Sequence, residues 1–371
     1  MTSFHQCALL LLLWCLLGCC VHIAIAGTEP GKGKHLLVGV DANYSLELEK
    51  NGTVWKEQNG KACDLFTLLH RAGVNSFRVR VWANDDGLSG RDYALDIARR
   101  AQRVGMQPLP VLFLSDNWAD YVKQPAPARW QKLAFAEKLK SVTEYSRATA
   151  LAFKHAGIKT DLYEIGNEID FGICGEFAEN WGDRFNLLFM RAHIWPNAAQ
   201  VIAAAEAGIR TVNPKAHFVL HLAQWWNPSY CKAFIAFMQQ HHVAIDYFGL
   251  SFYPSSGLAE KNTFADLTDN VNDINKNTGL PILLLECGYP SLPTFGGQFS
   301  TWNKAVPGYE LSEQGQAQWV AALLAVSKAT PAIRGFYYWS PELYTQELWS
   351  AFSLFHADGI AKQGLWALSG K

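Results

Sequence analysis

Eight short apolar runs along the chain alternate with seven longer amphipathic segments. The runs are rich in β-branched and aromatic residues and each ends at a polar or aromatic cluster, which predicts buried strands. The longer segments have helical periodicity and are bounded by capping residues or glycine, which predicts helices. The predicted strands cover residues 36–40, 74–82, 109–114, 162–165, 217–222, 247–253, 281–286 and 335–338; the predicted helices cover 64–72, 93–104, 133–155, 198–212, 230–241, 264–277 and 313–329.

Strict alternation of strands and helices indicates an α/β protein with a parallel sheet and right-handed crossovers. Eight alternating strands in one domain predict a single (β/α)8 TIM barrel, whose functional site lies at the carboxyl ends of the strands. A doubly wound sheet is the structural alternative. It would need a glycine-rich phosphate turn after an early strand, and residues 39–41 (Gly-Val-Asp) do not form one.

Two of the predicted strands lead directly to a glutamate. Glu168 follows the strand at 162–165 and stands next to Asn167, and Glu286 ends the strand at 281–286. An ionised carboxylate at the end of an apolar strand is costly unless it has partners or a function. Paired carboxylates across one site are typical of glycoside hydrolysis. The alternative is a pair of unrelated, salt-bridged glutamates.

The amino-terminal residues are predicted to form a cleavable leader and not part of the folded domain. An apolar run at 8–21 is followed by the small-x-small site at 24–26, which predicts a signal peptide over 1–26 and a mature domain over 27–371. We therefore expect a secreted, extracellular or periplasmic protein. A lipoprotein anchored through Cys19 is the alternative. No later run is long and apolar enough to predict a membrane span.

Composition narrows the classes of partner. The chain has 32 Lys plus Arg against 33 Asp plus Glu, so no electrostatic field favours nucleic acid or an anionic membrane. Its 14 tryptophans suit stacking on sugar rings as well as a large core. No cofactor or metal site is predicted, and bound calcium stays an open alternative although no acidic ligand loop of EF-hand type occurs. Asn43 and Asn51 begin glycosylation sequons. Four cysteines of the mature chain allow three disulfide pairings, among which the sequence does not choose: Cys63, Cys174, Cys231 and Cys287.

The motifs on successive strands resemble those of the family 53 glycoside hydrolases, the endo-β-1,4-galactanases, over nearly the whole mature chain. The resemblance implies a TIM barrel that hydrolyses a polysaccharide, with Glu168 as general acid/base and Glu286 as nucleophile of a retaining reaction. The motifs that carry it are residues 39–41 with 46–49, 64–66, 72–75 with 78–82, 115–116 with 118–120, 166–169, 249–254, 286 with 289–290, and 336–339.

Further residues have expected roles around this pair. Arg80, on the inward face of the second strand, is predicted to keep Glu286 ionised. Asn167 is implied to hydrogen-bond the sugar 2-hydroxyl, and Trp339 to form the floor under the sugar at the cleavage point. The remaining candidates have two interpretations each, substrate contact or local packing and turn formation: Trp82, Trp118, Trp225, Trp226, Asp116 and Asp120. His221 is predicted to be a buried, satisfied side chain.

Three segments depart from the family's usual pattern, and all three follow predicted strands. They are Phe113-Leu114 after the third strand, residues 170–174 after the fourth, and residues 255–257 after the sixth. The expected substrate is β-1,4-galactan or arabinogalactan, cut internally by a monomeric enzyme. Another β-linked polysaccharide or a galactoside oligomer is the alternative within the class. A catalytically silent carbohydrate-binding protein is the alternative from a different class.

Overall fold

A computed structural model describes residues 36–84, 87–293, 300–345 and 347–370. Eight parallel strands in these residues close into a barrel in which each strand pairs with its neighbours in chain order and the last pairs with the first. This confirms the predicted (β/α)8 barrel. The predicted leader lies outside the described residues. The strands are β1 Leu37–Asp41, β2 Ser76–Val81, β3 Gln107–Leu112, β4 Leu162–Ile165, β5 His217–Leu222, β6 Tyr247–Phe252, β7 Ile282–Cys287 and β8 Ile333–Trp339.

A helix follows each strand and covers the outside of the barrel. The helices are α1 Leu65–Arg71, α2 Arg91–Arg103, α3 Phe135–His155, α4 Trp195–Arg210, α5 Pro228–Gln240, α6 Phe264–Thr278, α7 Glu313–Ala329 and α8 Gln363–Ala367. Polar caps fix several starts: Asp64 accepts a hydrogen bond from the Thr67 amide at α1, as its sequence position predicts, and Thr263 forms a capping box at α6. Within the described chain, no helix has the length and apolar character required to cross a membrane.

The connection between β4 and α4 is the most elaborate of the described connections. It contains a two-stranded hairpin, Gly172–Ile173 with Glu176–Phe177, and two short helices, Trp181–Arg184 and Leu187–Phe189, before a π-helical turn at Met190–Ile194. Short segments elsewhere are the helices Ser45–Lys50 and Glu347–Ser350 and the 3-10 turn Pro254–Ser256.

The barrel interior has an apolar layer below a charged one. A buried cluster drawn from five different strands fills the lower layer: Leu109, Leu162, Val219, Leu283, Leu285 and Tyr337. On β2, Ser76, Arg78 and Arg80 face inward, whereas the intervening residues belong to the core between barrel and helices. Charged side chains therefore lie inside the barrel only near its carboxyl end, directly above the apolar layer.

A β-bulge on β7 determines where Glu286 points. Leu250 pairs with Leu284, but the next residue, Ser251, pairs with Glu286, so Leu285 is the extra residue. Strict alternation would place Glu286 on the face opposite Leu285, which lies in the interior layer. The bulge instead allows both residues to face the interior, and this delivers the carboxylate to the charged layer.

Two expectations about covalent modification are changed by the fold. Asn43 is only 1% exposed and its amide bonds Asp41 and the backbone of Arg78, so this sequon cannot carry a glycan in the folded chain. Asn51 is exposed at the end of the short Ser45–Lys50 helix. None of the three possible disulfide pairings occurs, since all four cysteines of the described chain are free thiols.

Candidate active site

A cavity of about 380 Å³ opens at the carboxyl ends of the barrel strands. Both predicted catalytic glutamates, Glu168 and Glu286, line it together with Asn167 and Ser251. The remaining wall is predominantly aromatic, which is the lining that suits the apolar faces of sugar rings. The aromatic residues are Tyr44, Trp118, Tyr121, Trp181, Trp225, Trp226, Tyr253, Trp302, Trp339 and Trp349.

Glu168 is positioned by two left-handed residues just beyond β4. Gly166 has φ 75° and Glu168 itself has φ 47°, a conformation that non-glycine residues adopt rarely and that is frequent at functional sites. The Ser251 hydroxyl donates to Glu168 Oε1 at 2.5 Å and the Tyr121 amide donates to Oε2 at 3.2 Å. No Lys or Arg of the described residues forms an ion pair with Glu168. Burial therefore raises the pKa of Glu168 to about 7, assisted by the nearby charge of Asp120.

Glu286 has the same burial but a different set of partners. Arg78 donates from Nη1 to Glu286 Oε1 at 3.0 Å, and the Tyr253 hydroxyl donates to Oε2 at 3.1 Å. Burial and the charge of Glu168 raise the pKa of Glu286, while the Arg78 guanidinium opposes the rise. Because the two carboxyls repel each other, they lose their protons in succession as a coupled pair. The guanidinium beside Glu286 favours the first negative charge there, which leaves the shared proton on Glu168.

Among the described residues, Arg78 rather than Arg80 is the cation that pairs with Glu286, which corrects the prediction made for Arg80. Besides Glu286, Arg78 contacts Glu164 through Nε at 2.7 Å and Nη2 at 2.6 Å, and Asp41 through Nη1 at 2.8 Å. These ion pairs are fully buried on the Arg78 side and raise the pKa of its guanidinium above the usual value. One guanidinium thus neutralises part of the charge of three carboxylates.

Arg80 lies on the same face of β2 but one pleat nearer the mouth of the barrel. It pairs with Asp41 at 3.1 Å and its guanidinium lies 4.2 Å from the centre of the Trp118 ring. Alternation along the strand gave the correct face for both arginines, but it carried no information about depth. The depth of Arg78 places it level with the catalytic pair, whereas Arg80 supports the ring of a cavity-lining tryptophan.

Asn167 lines the cavity with an amide whose orientation is fixed. Its Oδ1 accepts from Arg78 Nη2 at 2.6 Å, and its Nδ2 donates to the Ala119 carbonyl at 3.1 Å. Nδ2 has a second hydrogen available for a ligand in the cavity. The implied contact between Asn167 and a sugar hydroxyl is compatible with this geometry and stays a prediction.

The other predicted contact residues divide into two groups. Trp118 and Trp339 both line the cavity, with ring centroids 5.9 Å apart. Trp82 does not line it: this ring is 8% exposed and packs edge-on behind Trp118. Asp116 is likewise absent from the lining, and its Oδ2 accepts from the Ala128 amide at 2.8 Å. The structure therefore corrects the substrate-contact interpretation for Trp82 to packing and for Asp116 to loop formation.

The remaining candidates from the sequence are also placed by the structure. Trp225 and Trp226 both line the cavity. Asp120 lines it too, and its Oδ1 accepts from the Val122 and Lys123 amides at 2.8 and 3.1 Å, so it forms a turn as well.

A buried hydrogen-bond chain behind the glutamates was not predicted. His221 is fully buried and satisfied, as expected, but its two nitrogens connect Glu164 at 3.0 Å with Ser251 at 2.9 Å. Ser251 in turn contacts Glu168, so the chain joins the acid/base candidate to the carboxylate that Arg78 holds. The available signal was a glutamate inside an apolar strand, since Glu164 lies within β4 and must find a buried cation.

Both the sequence and the fold are similar to those of known proteins. Residues 37–370 match the sequence model of Glycosyl hydrolase family 53. The chain is 29% identical over 328 residues to an endo-β-1,4-galactanase of Bacillus subtilis, covering 84% of this chain and 71% of that protein. It is 29% identical over 312 residues to a probable arabinogalactan endo-β-1,4-galactanase A of Neosartorya fischeri, covering 82% of this chain and 83% of that protein. A fungal β-1,4-galactanase structure superposes with a TM-score of 0.77 at 26% identity, covering 90% of this chain and 99% of that one.

Proposed function

The chain belongs to glycosyl hydrolase family 53, and on that premise we propose that it cleaves β-1,4-galactan or arabinogalactan internally with retention of anomeric configuration. Glu168 is the acid/base and Glu286 the nucleophile. The observation that carries the proposal is the unequal environment of two carboxyls in one aromatic cavity: Arg78 lies 3.0 Å from Glu286, whereas the described partners of Glu168 are a hydroxyl and an amide.

The first step separates the two roles. Glu168 gives its proton to the glycosidic oxygen as the bond between that oxygen and the anomeric carbon breaks. A Glu286 oxygen attacks the anomeric carbon from the opposite face and forms a glycosyl ester, while the protonated sugar chain leaves. Arg78 and Tyr253 keep Glu286 oriented for this attack through their two hydrogen bonds.

The second step regenerates both groups. Water enters where the leaving sugar stood, and Glu168, now ionised, takes a proton from it. The resulting hydroxide equivalent attacks the anomeric carbon and breaks the ester to Glu286, so the product has the configuration of the substrate. Double displacement requires carboxyl groups about 5–5.5 Å apart, a separation available across a barrel mouth.

The substrate proposal rests on the relatives and on the preserved floor of the cavity. The similar proteins of Bacillus subtilis and Neosartorya fischeri are named for action on β-1,4-galactan and arabinogalactan. Trp118 and Trp339 provide apolar surfaces beside the glutamates. The segments after β3, β4 and β6 depart from the family's usual pattern, and such loops set specificity on this fold. A pure binding protein would gain nothing from two mutually repelling buried carboxyls.

The decisive assay compares kcat/KM on unbranched β-1,4-galactan with values on β-1,3-galactan, mannan, xylan and glucan. We expect a clear preference for β-1,4-galactan and release of short oligosaccharides, which indicates internal cleavage. Preference for another polymer would refute the galactan proposal and leave retaining hydrolysis standing. Binding of galactan without reducing-sugar release would instead indicate the silent binding protein.

We further propose that the chain is secreted as a monomer after removal of residues 1–26. The apolar run at 8–21 and the small-residue site at 24–26 support cleavage there. An extracellular or periplasmic location is where a polysaccharide substrate would be encountered. Amino-terminal sequencing of the exported protein distinguishes cleavage after Ala26 from lipid attachment at Cys19.

Ser251→Ala should move the alkaline limb of the pH–rate profile to higher pH. The Ser251 hydroxyl donates to Glu168 and thereby lowers the pKa of that carboxyl, so its removal raises the pKa. Activity that needs protonated Glu168 is lost as pH rises through this pKa, and a higher pKa delays the loss. The pH dependence of kcat/KM on galactan checks the shift. An alkaline limb that stays in place or moves to lower pH would contradict the role of this hydrogen bond.

A further inference from the structure

The cavity continues beyond Glu168 onto an aromatic surface formed by the connection between β4 and α4. Trp181, in the short helix Trp181–Arg184, lines the cavity and is 52% exposed. The exposed ring is not isolated on the surface, because it continues the aromatic wall of the cavity. Tyr121 forms the adjoining wall, with its ring centroid 6.0 Å from that of Trp181.

The exposed tryptophan has an unusual support. The Arg184 guanidinium lies 4.1 Å from the centre of the Trp181 ring and 4.6 Å from that of Phe177. Arg184 is only 3% exposed, and it donates hydrogen bonds to backbone carbonyls, at 2.8 Å to Ala178 and 3.1 Å to Val122. Within the described chain no carboxylate forms an ion pair with it, and burial lowers the pKa of its guanidinium.

Burying an arginine without an ion-pair partner costs free energy. In return the guanidinium holds the inner face of Trp181 by a cation–π contact and leaves the outer face free. A half-exposed ring fixed in this way loses little side-chain entropy when it binds a ligand. The backbone hydrogen bonds of Arg184 fix the loop around it, and its cation–π contact makes the half-exposed Trp181 ring a preorganised surface for a ligand.

The position of Trp181 relative to the two glutamates defines which part of a substrate it meets. Tyr121 contacts Trp181 through its ring and Glu168 through its amide, at 3.2 Å from Oε2. On the other side, Tyr253 contacts Glu286 directly. Because Glu168 gives its proton to the oxygen of the departing sugar, the surface beyond Glu168 faces the leaving group.

We propose that Trp181, held on Arg184, is the stacking platform for a galactosyl residue on the leaving-group side of the cleavage point. This rests on the proposed function. The axial 4-hydroxyl of galactose leaves a patch of C–H bonds on one face of the ring, and such a patch matches an indole face. The platform binds the departing chain and so favours internal cleavage of long substrates.

The test compares two substrates that share a glycone and differ only in what leaves. One is β-1,4-galactan, and the other is β-1,4-galactobiosyl fluoride, whose leaving group has no ring to stack. Trp181→Ala should lower kcat/KM on galactan by roughly 10–200-fold. On the fluoride it should match the wild type. Trp181→Phe, which keeps an aromatic face, should restore part of the activity on galactan.

Phe185→Ala is the matched control. Phe185 belongs to the same connection and is 49% exposed, but it does not line the cavity. This variant should match the wild type on both substrates. Thermal melting of each variant identifies any loss caused by unfolding, and Trp181→Phe keeps the comparison valid if the alanine variant does not fold.

Two results would overturn the platform. Equal losses of Trp181→Ala on galactan and on the fluoride would show that the ring does not act through the leaving group, and undiminished activity on galactan would show that it does not bind substrate. Failure of the proposed function appears differently, in the wild type. If the wild type prefers another β-linked polymer, that polymer and its glycosyl fluoride replace galactan and galactobiosyl fluoride in the test. If the wild type cleaves no polymer, both the proposed function and the proposed platform are wrong.

Discussion

Glutamine at position 286 or 168 should remove nearly all turnover of galactan while the fold is retained. Glu286→Gln deletes the nucleophile, so no glycosyl ester forms and kcat falls by several orders of magnitude. Glu168→Gln deletes proton transfer, whose contribution is typically about 10²–10⁴-fold. Steady-state kinetics on β-1,4-galactan, together with melting temperatures, measure both effects.

The two variants should differ on a substrate whose leaving group needs no proton. On β-1,4-galactobiosyl fluoride, Glu168→Gln should form the glycosyl ester rapidly and then hydrolyse it slowly, which gives a burst of fluoride. Glu286→Gln should give no burst. Glu144→Gln is the control, because Glu144 is an exposed residue paired only with Arg147 among the described partners, and it should match the wild type. Substantial galactan turnover by either site variant would contradict its assignment.

Arg78→Met should damage both stability and catalysis more than any other single arginine substitution in the barrel. It leaves the fully buried Glu164 with His221 in place of a guanidinium, and Asp41 keeps Arg80 as its cationic partner. Removing one partner from a buried ionic cluster costs about 3–5 kcal/mol of unfolding free energy. Arg78 also lowers the pKa of Glu286, so its loss raises that pKa. Activity needs Glu286 ionised, and the acidic limb of the pH–rate profile should therefore move to higher pH.

Arg80→Met is the matched comparison on the same strand face. Arg80 does not contact Glu286 but pairs with Asp41 and supports the Trp118 ring. This variant should weaken substrate binding, seen as a higher KM, and leave the acidic limb where the wild type has it. Denaturant unfolding and pH profiles of both variants decide the matter. An acidic limb that moves in Arg80→Met and not in Arg78→Met would restore the assignment made from sequence.

The barrel could be predicted because its signals are local. Each apolar run between polar strand ends predicted a strand, and eight repeats of the unit leave few topologies. The position of the glutamates followed in the same way, since the carboxyl ends of parallel strands in a barrel share one face. The roles of Glu168 and Glu286 come from family resemblance and chemistry, and they stay predictions until the variants are measured.

The sequence could not predict how deep a side chain lies in the barrel or which residues of other strands it contacts. Arg78 and Arg80 are indistinguishable by alternation, and only the closed barrel shows that Arg78 is level with Glu286. The bulge at Leu285 turns Glu286 inward, and no glycine or proline at this position predicts it from the sequence. His221 was predicted as buried and satisfied, but its partners come from β4 and β6 and are distant in the chain.

Aromatic residues were the least predictable of the site candidates. Trp82 and Trp118 both follow strands and are equally plausible as platforms in the sequence. Packing separates them, because Trp118 covers Trp82 and takes the place beside the cavity. Trp181 lies in a long connection without strand periodicity, so only its exposure and its contact with Arg184 indicate a binding surface.

The anomeric configuration of the first sugar released tests the pairing of Glu168 with Glu286 most directly. Proton NMR of a fresh digest of β-1,4-galactan resolves the new reducing ends before mutarotation mixes them. Double displacement through Glu286 predicts that the β-anomer appears first and the α-anomer grows in later. An α-anomer that appears first would mean single displacement by water, and Glu286 would then be a base rather than the nucleophile.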